Sequence, residues 1–191
     1  MPRRPSFDRD ALIEQARDLF WHRGWAGTSL KDLERELKLK PGSFYAAFGS
    51  KDALYALALE RYAQDGVARL TGLANEIGPL ETLKTQLQHV VDPTRETKAC
   101  MLAKSYLELK AQNDELADHA GGLLKAMERC FADLFRHAQS EGQVDPSLDP
   151  DRLARRYQSD LMGLRVSAER DDVDAMELAR DIADDLDRLH P

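Results

Sequence analysis

The residues best suited to chemistry in this chain are hydroxyls, lysines and a bare glycine between Gly27 and Phe48, in the run GTSLKDLERELKLKPGSFYAAF. The run reads as two short helices joined by a tight turn, with Ser43, Tyr45 and several lysines at the second helix. That is the layout of a helix-turn-helix, whose second helix enters the major groove of DNA. Hydroxyls at helix starts suit phosphate oxygens, because the free backbone N–H groups there add a positive field. Gly42 keeps the backbone bare where it would approach a duplex. A helical corner with a purely structural purpose fits the same short pattern.

Other chemistries find no support. There is no phosphate-cradling glycine loop, nucleophile elbow or metal-ligand set. Cys100 and Cys130 have neither CxxC spacing nor a matching histidine pair, and the five histidines are scattered, so no metal site and no cofactor are expected. Cys100, in KACMLAKSYLEL, is read as the start of a helix. The helix N-terminus and Lys98 would favour its thiolate, as in a redox or electrophile sensor. The plainer reading of either cysteine is a small buried hydrophobe.

The formal charge is −7, unevenly spread. Residues 1–52 hold ten Lys/Arg against eight Asp/Glu, a net of +2, which leaves −9 for the remainder. A basic-leaning head on an acidic body suits local phosphate contacts rather than general coating of nucleic acid. Arg3 and Arg4 form a basic arm that could reach phosphates or the minor groove, or serve only as solubilising charge. They have no apolar stretch behind them, and no apolar run approaches the roughly 18 residues needed to cross a bilayer, so a cytoplasmic location without membrane association is expected.

These residues must be positioned by helices, because no alternating β-branched run marks a strand. Apolar spacing predicts helices over about 8–23, 29–38, 41–47, 51–76, 80–91, 98–112, 114–140, 149–168 and 173–189. Ser6, Ser29 with Asp32, Ser50 and Asp149 are the expected N-caps. Gly24 and Gly49 close their helices. Gly121-Gly122 could kink the seventh helix. The expected fold is all-α, with an N-terminal three-helix helix-turn-helix DNA-binding domain over residues 1–50. A helical regulatory and dimerisation domain over 51–191 follows, for about nine helices in all.

The first four helices resemble a known family. RDALIEQARDLFWHRGWAGTSLKDLERELKLKPGSFYAAFGSKDALYALALERY is similar to the N-terminal domain of TetR family transcriptional regulators, without a gap, and Tyr45, Phe48 and Lys51 fall in the family's register. The resemblance implies a homodimer that binds a palindrome on double-stranded DNA, one helix-turn-helix per half-site. Carried over by motif position, Thr28, Tyr45 and Lys51 would contact phosphates. Lys40, Gly42, Ser43 and Phe44 would lie at base edges, with room for an apolar contact to a thymine methyl. Phe20, Leu33, Leu37 and Phe48 would form the core of the head. Two positions depart from the family pattern. Glu34 stands where a small residue is usual, and Lys38 where the turn usually has glycine. Lys38 is therefore expected in the left-handed conformation, at a cost of about 1 kcal/mol, unless it adds a phosphate contact.

For the body the resemblance implies a small-molecule effector, a dimer through the helices of about 150–169 and 173–189, and repression by occupying an operator. The pocket candidates are Tyr62, His89, Met101, Tyr106, Met127, Phe131 and Tyr157, each on a helix stripe where core packing is the plainer role. Lys104 and Arg165 could meet an anionic ligand or simply face solvent. The rival readings are a helical-bundle enzyme using His89 with nearby carboxylates, and an adaptor on the same fold that has lost DNA binding.

Overall fold

The computed structural model describes residues 8–94 and 99–191, and among them every regular element is a helix. In order these are α1 (Arg9–Arg23), α2 (Leu30–Glu36), α3 (Pro41–Phe48), α4 (Lys51–Ile77), α5 (Pro79–Val91), α6 (Met101–Leu109), α7 (Asp114–Ser140), α8 (Pro150–Ser167) and α9 (Ala175–Asp187). Contacts divide the chain into two compact units. The first takes residues up to Gln64 together with Met101–Leu123. The second takes Asp65–Cys100 and Leu124–Pro191.

In the first unit, local chemistry sets the helix ends. Asp8 is the N-cap of α1, its carboxylate accepting from the N–H of Asp10 at 3.0 Å. This corrects the choice of Ser6, which lies outside the described residues. The Ser29–Asp32 capping box forms in both directions, with Asp32 N to Ser29 Oγ at 3.2 Å and Ser29 N to Asp32 Oδ2 at 3.0 Å. The Ser29 hydroxyl, which donates to Asp32 Oδ2 at 2.5 Å, then the Ser29 N–H and Arg35 pull the Asp32 carboxyl down to about 2. Ser50 Oγ takes the N–H of Ala53 at 3.0 Å and so caps α4. Gly24 and Gly49, both at φ +76°, end α1 and α3. Lys38 has φ +54°, the left-handed conformation expected of the turn.

The core of this unit joins the head to α4. Leu12, Ile13, Ala16, Phe20, Leu33, Leu37, Phe44 and Phe48 are buried, as are Leu54, Tyr55, Ala58 and Leu59. Phe20 and Tyr55 meet edge to face at 4.6 Å, the geometry aromatic quadrupoles favour. The Tyr55 hydroxyl shares a 2.6 Å hydrogen bond with Ser105 on α6. Burial, more than any charge, pushes that phenol up to about 12.

The second unit packs α5 against α9 and α8. Leu83, Leu87 and Val90 of α5 meet Phe131, Phe135, Tyr157, Leu161, Leu164 and Leu186 in one apolar core. Asp149 caps α8 as expected, and Asp174 caps α9. The remaining expectations differ mainly at helix ends. Helix α5 begins at Pro79, one residue after Gly78 (φ +85°). Helix α6 is shorter than the stretch 98–112, so Cys100 precedes the helix instead of opening it, and Lys98 lies outside the described residues. Helix α7 runs on through Gly121-Gly122 as one element.

Candidate nucleic-acid interface

Helix α3 is eight residues long and mounted by two rings. Phe44 and Phe48, one turn apart, face inward with centroids 5.7 Å apart. The i, i+4 spacing that buries both leaves the opposite side of α3 bare. Lys40, Pro41, Gly42, Ser43, Tyr45 and Ala46 are exposed there. A Cβ built on Gly42 meets nothing within 4 Å, so its surroundings are open. Tyr45 is half exposed, an unusual position for a large aromatic residue unless its hydroxyl has work to do at a surface.

Two expected contacts are corrected by burial. Phe44 is fully buried and cannot present its ring to a base edge. It is the inner anchor of α3, against Phe48 and the edge of Tyr45. Thr28 is also fully buried, and its hydroxyl donates to the Gly24 carbonyl at 2.8 Å. It closes the corner between α1 and α2 and has no open line to a phosphate. The signal for Phe44 was present in its four-residue spacing from Phe48.

Lys51 sits at the start of α4 in a more elaborate setting. Its ammonium lies 4.0 Å over the Trp25 ring, a cation–π contact. The Trp25 indole N–H donates to Asp52 Oδ1 at 2.8 Å, and Asn113 Nδ2 donates to Asp52 Oδ2 at 3.1 Å. Partial burial pushes the Lys51 ammonium below its ordinary value, while Asp52 and then Glu108 oppose the shift. Trp25 therefore holds Lys51 in place beside the head. No sequence spacing signals this support, because Trp25 and Lys51 lie on different elements.

Residues proposed for an effector pocket divide between the units. Tyr62, Met101 and Tyr106 belong to the first, and His89, Met127, Phe131 and Tyr157 to the second. Tyr62 packs edge-on against Trp21 at 5.1 Å. Tyr106 touches the open face of Gly121 and carries the Lys110 ammonium 5.5 Å above its ring. Tyr157 is a core residue. Its hydroxyl donates to the Leu83 carbonyl at 2.8 Å, Phe131 meets its ring at 4.9 Å, and burial pushes its phenol far up. Lys104 is exposed, as the plainer reading has it, and its ammonium donates to the carbonyls of Trp21 and His22. Cys100 and Cys130 are both free thiols of intermediate exposure. Burial first, then Asp133, pushes the Cys130 thiol up, which keeps it protonated and a weak nucleophile.

Comparison with known proteins decides the family. The family described as bacterial regulatory proteins, tetR family, matches residues 12–58. The tetracyclin repressor-like C-terminal domain matches residues 79–183, more than half the chain. The chain belongs to the TetR family. Among curated relatives of this TetR family member is the HTH-type transcriptional repressor ComR of Escherichia coli (strain K12). It is 26% identical over 167 residues, covering 85% of this chain and 80% of ComR. A cysteine-substituted form of the TetR family regulator CifR, solved with 26-bp double-strand operator DNA, is 30% identical. It covers 99% of this chain and 100% of that one, with a TM-score of 0.75. A TetR family regulator from Cytophaga hutchinsonii superposes with a TM-score of 0.83 at 19% identity, covering 95% and 94% of the two chains. Among the described residues, no helix is long and apolar enough to cross a membrane, and no three His, Cys, Asp or Glu side chains cluster as metal ligands.

Proposed function

We propose that this TetR family member is a ligand-responsive repressor that binds a palindromic operator as a homodimer and acts in the cytoplasm without enzymatic activity. The observation that carries the proposal is α3 itself. Its two phenylalanines are buried, and Lys40, Gly42, Ser43 and Tyr45 are presented outward. A short helix with an exposed tyrosine and no bulky side chain beside Gly42 and Ser43 is shaped for close approach to a groove. Lys40, Gly42 and Ser43 are assigned to base edges, and Tyr45 and Lys51 to phosphates.

Residues 1–50 are assigned to DNA recognition and 51–191 to effector binding and dimerisation. Helices α8 and α9 supply the dimer face. Val166 and Met176 are 66% and 47% exposed there, apolar surface that a partner could cover. A symmetric dimer would cover the same patch twice. Repression is supported by ComR, a relative named as a transcriptional repressor. Of the two thiols, Cys100 is the candidate for an electrophile or redox response, since Cys130 is held protonated by burial.

The test is selection of duplexes from a random pool with the full chain, followed by titration at several salt concentrations. A palindromic consensus bound by two chains is expected. Tyr45→Phe and Lys51→Ala should weaken selected and unselected DNA alike, the signature of phosphate contacts. Failure to enrich any sequence would overturn the regulator reading.

A further inference from the structure

An acid stands beside the lysine assigned to a phosphate, where its charge works against the contact. Asp52 directly follows Lys51 in the first turn of α4. A carboxylate so close to a bound phosphate repels it. Both of its oxygens are engaged by neutral donors. Asp52 Oδ1 accepts from the Trp25 indole N–H at 2.8 Å, and Oδ2 accepts from Asn113 Nδ2 at 3.1 Å. The Asn113 amide is itself fixed, because its Oδ1 accepts from the Leu116 N–H at 3.1 Å. Trp25 lies between α1 and α2, with no helix of its own to orient its ring. The hydrogen bond to Asp52 pins the polar edge of the indole, and the Lys51 ammonium lies 4.0 Å from the centre of that ring. Lys51, Asp52 and Trp25 are all partly buried, so the cation–π contact is shielded from some of the water that would weaken it.

We propose that Asp52 is a positioning residue for DNA recognition: it clamps Trp25, and the clamped ring holds the Lys51 ammonium where it meets a phosphate. The proposal rests on the DNA-binding reading above. It gives a role to an acid that simple charge matching would count against binding. A lysine already held by a ring loses its side-chain freedom on folding instead of on association. That advantage outweighs the repulsion from a carboxylate whose charge is shared with two N–H donors.

The test sets charge against position, using the full chain and a duplex selected by the wild-type protein. Asp52→Ala removes a negative charge beside DNA, so repulsion alone would tighten binding. Positioning predicts the reverse: binding should weaken by about threefold or more, the loss expected when one long side chain must be immobilised on association. The log–log dependence of affinity on salt should become shallower, by up to about 0.9, as the Lys51 phosphate contact loosens. In a Lys51→Ala background the same substitution should cost no affinity, since the side chain it positions is gone. A purely structural role at the start of α4 would weaken both backgrounds equally. Trp25→Phe keeps an aromatic ring and loses the indole N–H, so it carries the same cycle if Asp52→Ala does not fold. Binding by Asp52→Ala at or above the wild-type level, or an equal loss in both backgrounds, overturns the proposal. A wild type that selects no duplex, or a Lys51→Ala variant that binds as the wild type does, overturns the DNA reading of Lys51, a separate result. NMR then still reads the clamp without DNA. The Trp25 ring current should shift the Lys51 ε-methylene protons upfield, and an undiminished shift in Asp52→Ala would show that Asp52 positions nothing.

Discussion

Adjacent residues on α3 should answer substitution in opposite ways. Phe44 is fully buried and Tyr45 is 50% exposed. Removing a buried phenylalanine to alanine costs about 3–5 kcal/mol, counting lost transfer energy and the cavity left behind. Whole domains are stable by only about 5–15 kcal/mol, so Phe44→Ala takes a large share of that margin. Its mate Phe48 and the edge of Tyr45 lose their packing partner together. Tyr45→Phe removes one hydroxyl from an exposed site and should change stability by less than about 0.5 kcal/mol. It should nonetheless weaken DNA binding by about tenfold or more, the worth of one hydrogen bond to a charged oxygen. Chemical denaturation monitored by circular dichroism gives the first pair of numbers, and titration with a selected and a scrambled duplex gives the second. Phe44→Ala should lose affinity for both duplexes in proportion to the unfolded head, with the ratio between them unchanged. An undiminished denaturation midpoint with an altered sequence preference would return Phe44 to the base edges and refute the burial argument.

Three further outcomes follow from the same geometry. Lys38→Gly relieves a left-handed non-glycine residue, worth about 1–2 kcal/mol, against about 0.5–1 kcal/mol of added freedom in the unfolded chain. The thermal midpoint should therefore rise by a few degrees, and a fall would show that Lys38 earns its place by a contact. The Asp32 carboxyl is held at about 2, below its ordinary 3.8, chiefly by Ser29. A depressed carboxylate stabilises the fold above its unfolded value and loses that contribution as pH falls through the folded one. Asp32→Asn should thus be less stable than wild type at neutral pH and approach it between about pH 4 and 2, read from unfolding midpoints across that range. Tyr157→Phe removes the 2.8 Å hydrogen bond to the Leu83 carbonyl, which keeps its helical partner within α5, and should cost about 0.5–1.5 kcal/mol by urea unfolding while the ring contact with Phe131 persists.

What was legible in the sequence was what is decided within a few residues. The Ser29–Asp32 box, the Asp149 cap and the glycine stops each depend on one turn of chain, and each was found where local chemistry put it, whereas the left-handed Lys38 was legible only through the family resemblance. Errors arose where a residue had two possible partners. Thr28 stands at a helix start, where a hydroxyl suits a phosphate, but the Gly24 carbonyl four residues back is nearer and the corner closes over it. Phe44 and Tyr45 are both aromatic and adjacent, and an eight-residue helix gives little periodicity to say which faces in. Only the ring of Phe48, one turn on, breaks the tie. The grip of Glu108 on Trp25 and Ala26 joins residues over 80 positions apart, and no local rule predicts a carboxylate meeting those two amides.

The burial of Phe44 changes how the head must discriminate among sequences. With 44 and 48 facing inward, the outward face of α3 carries Gly42, Ser43, Tyr45 and Ala46, preceded by Lys40. Of these, only Ser43 and Lys40 are assigned polar groups for base edges, and neither offers the planar fork that makes a bidentate contact selective. Direct readout is thus confined to a few base pairs, and small side chains let the backbone come close. On the proposed assignment, much of the affinity comes from phosphates, through Tyr45 and the Lys51 that Trp25 supports. Contacts of that kind discriminate only if the head is held at a fixed angle, since a loose head could satisfy phosphates in many registers. Specificity in such a reader depends on rigidity at the α1–α2 corner. That is the place where Gly24, Thr28, Glu108 and Lys104 converge on the backbone.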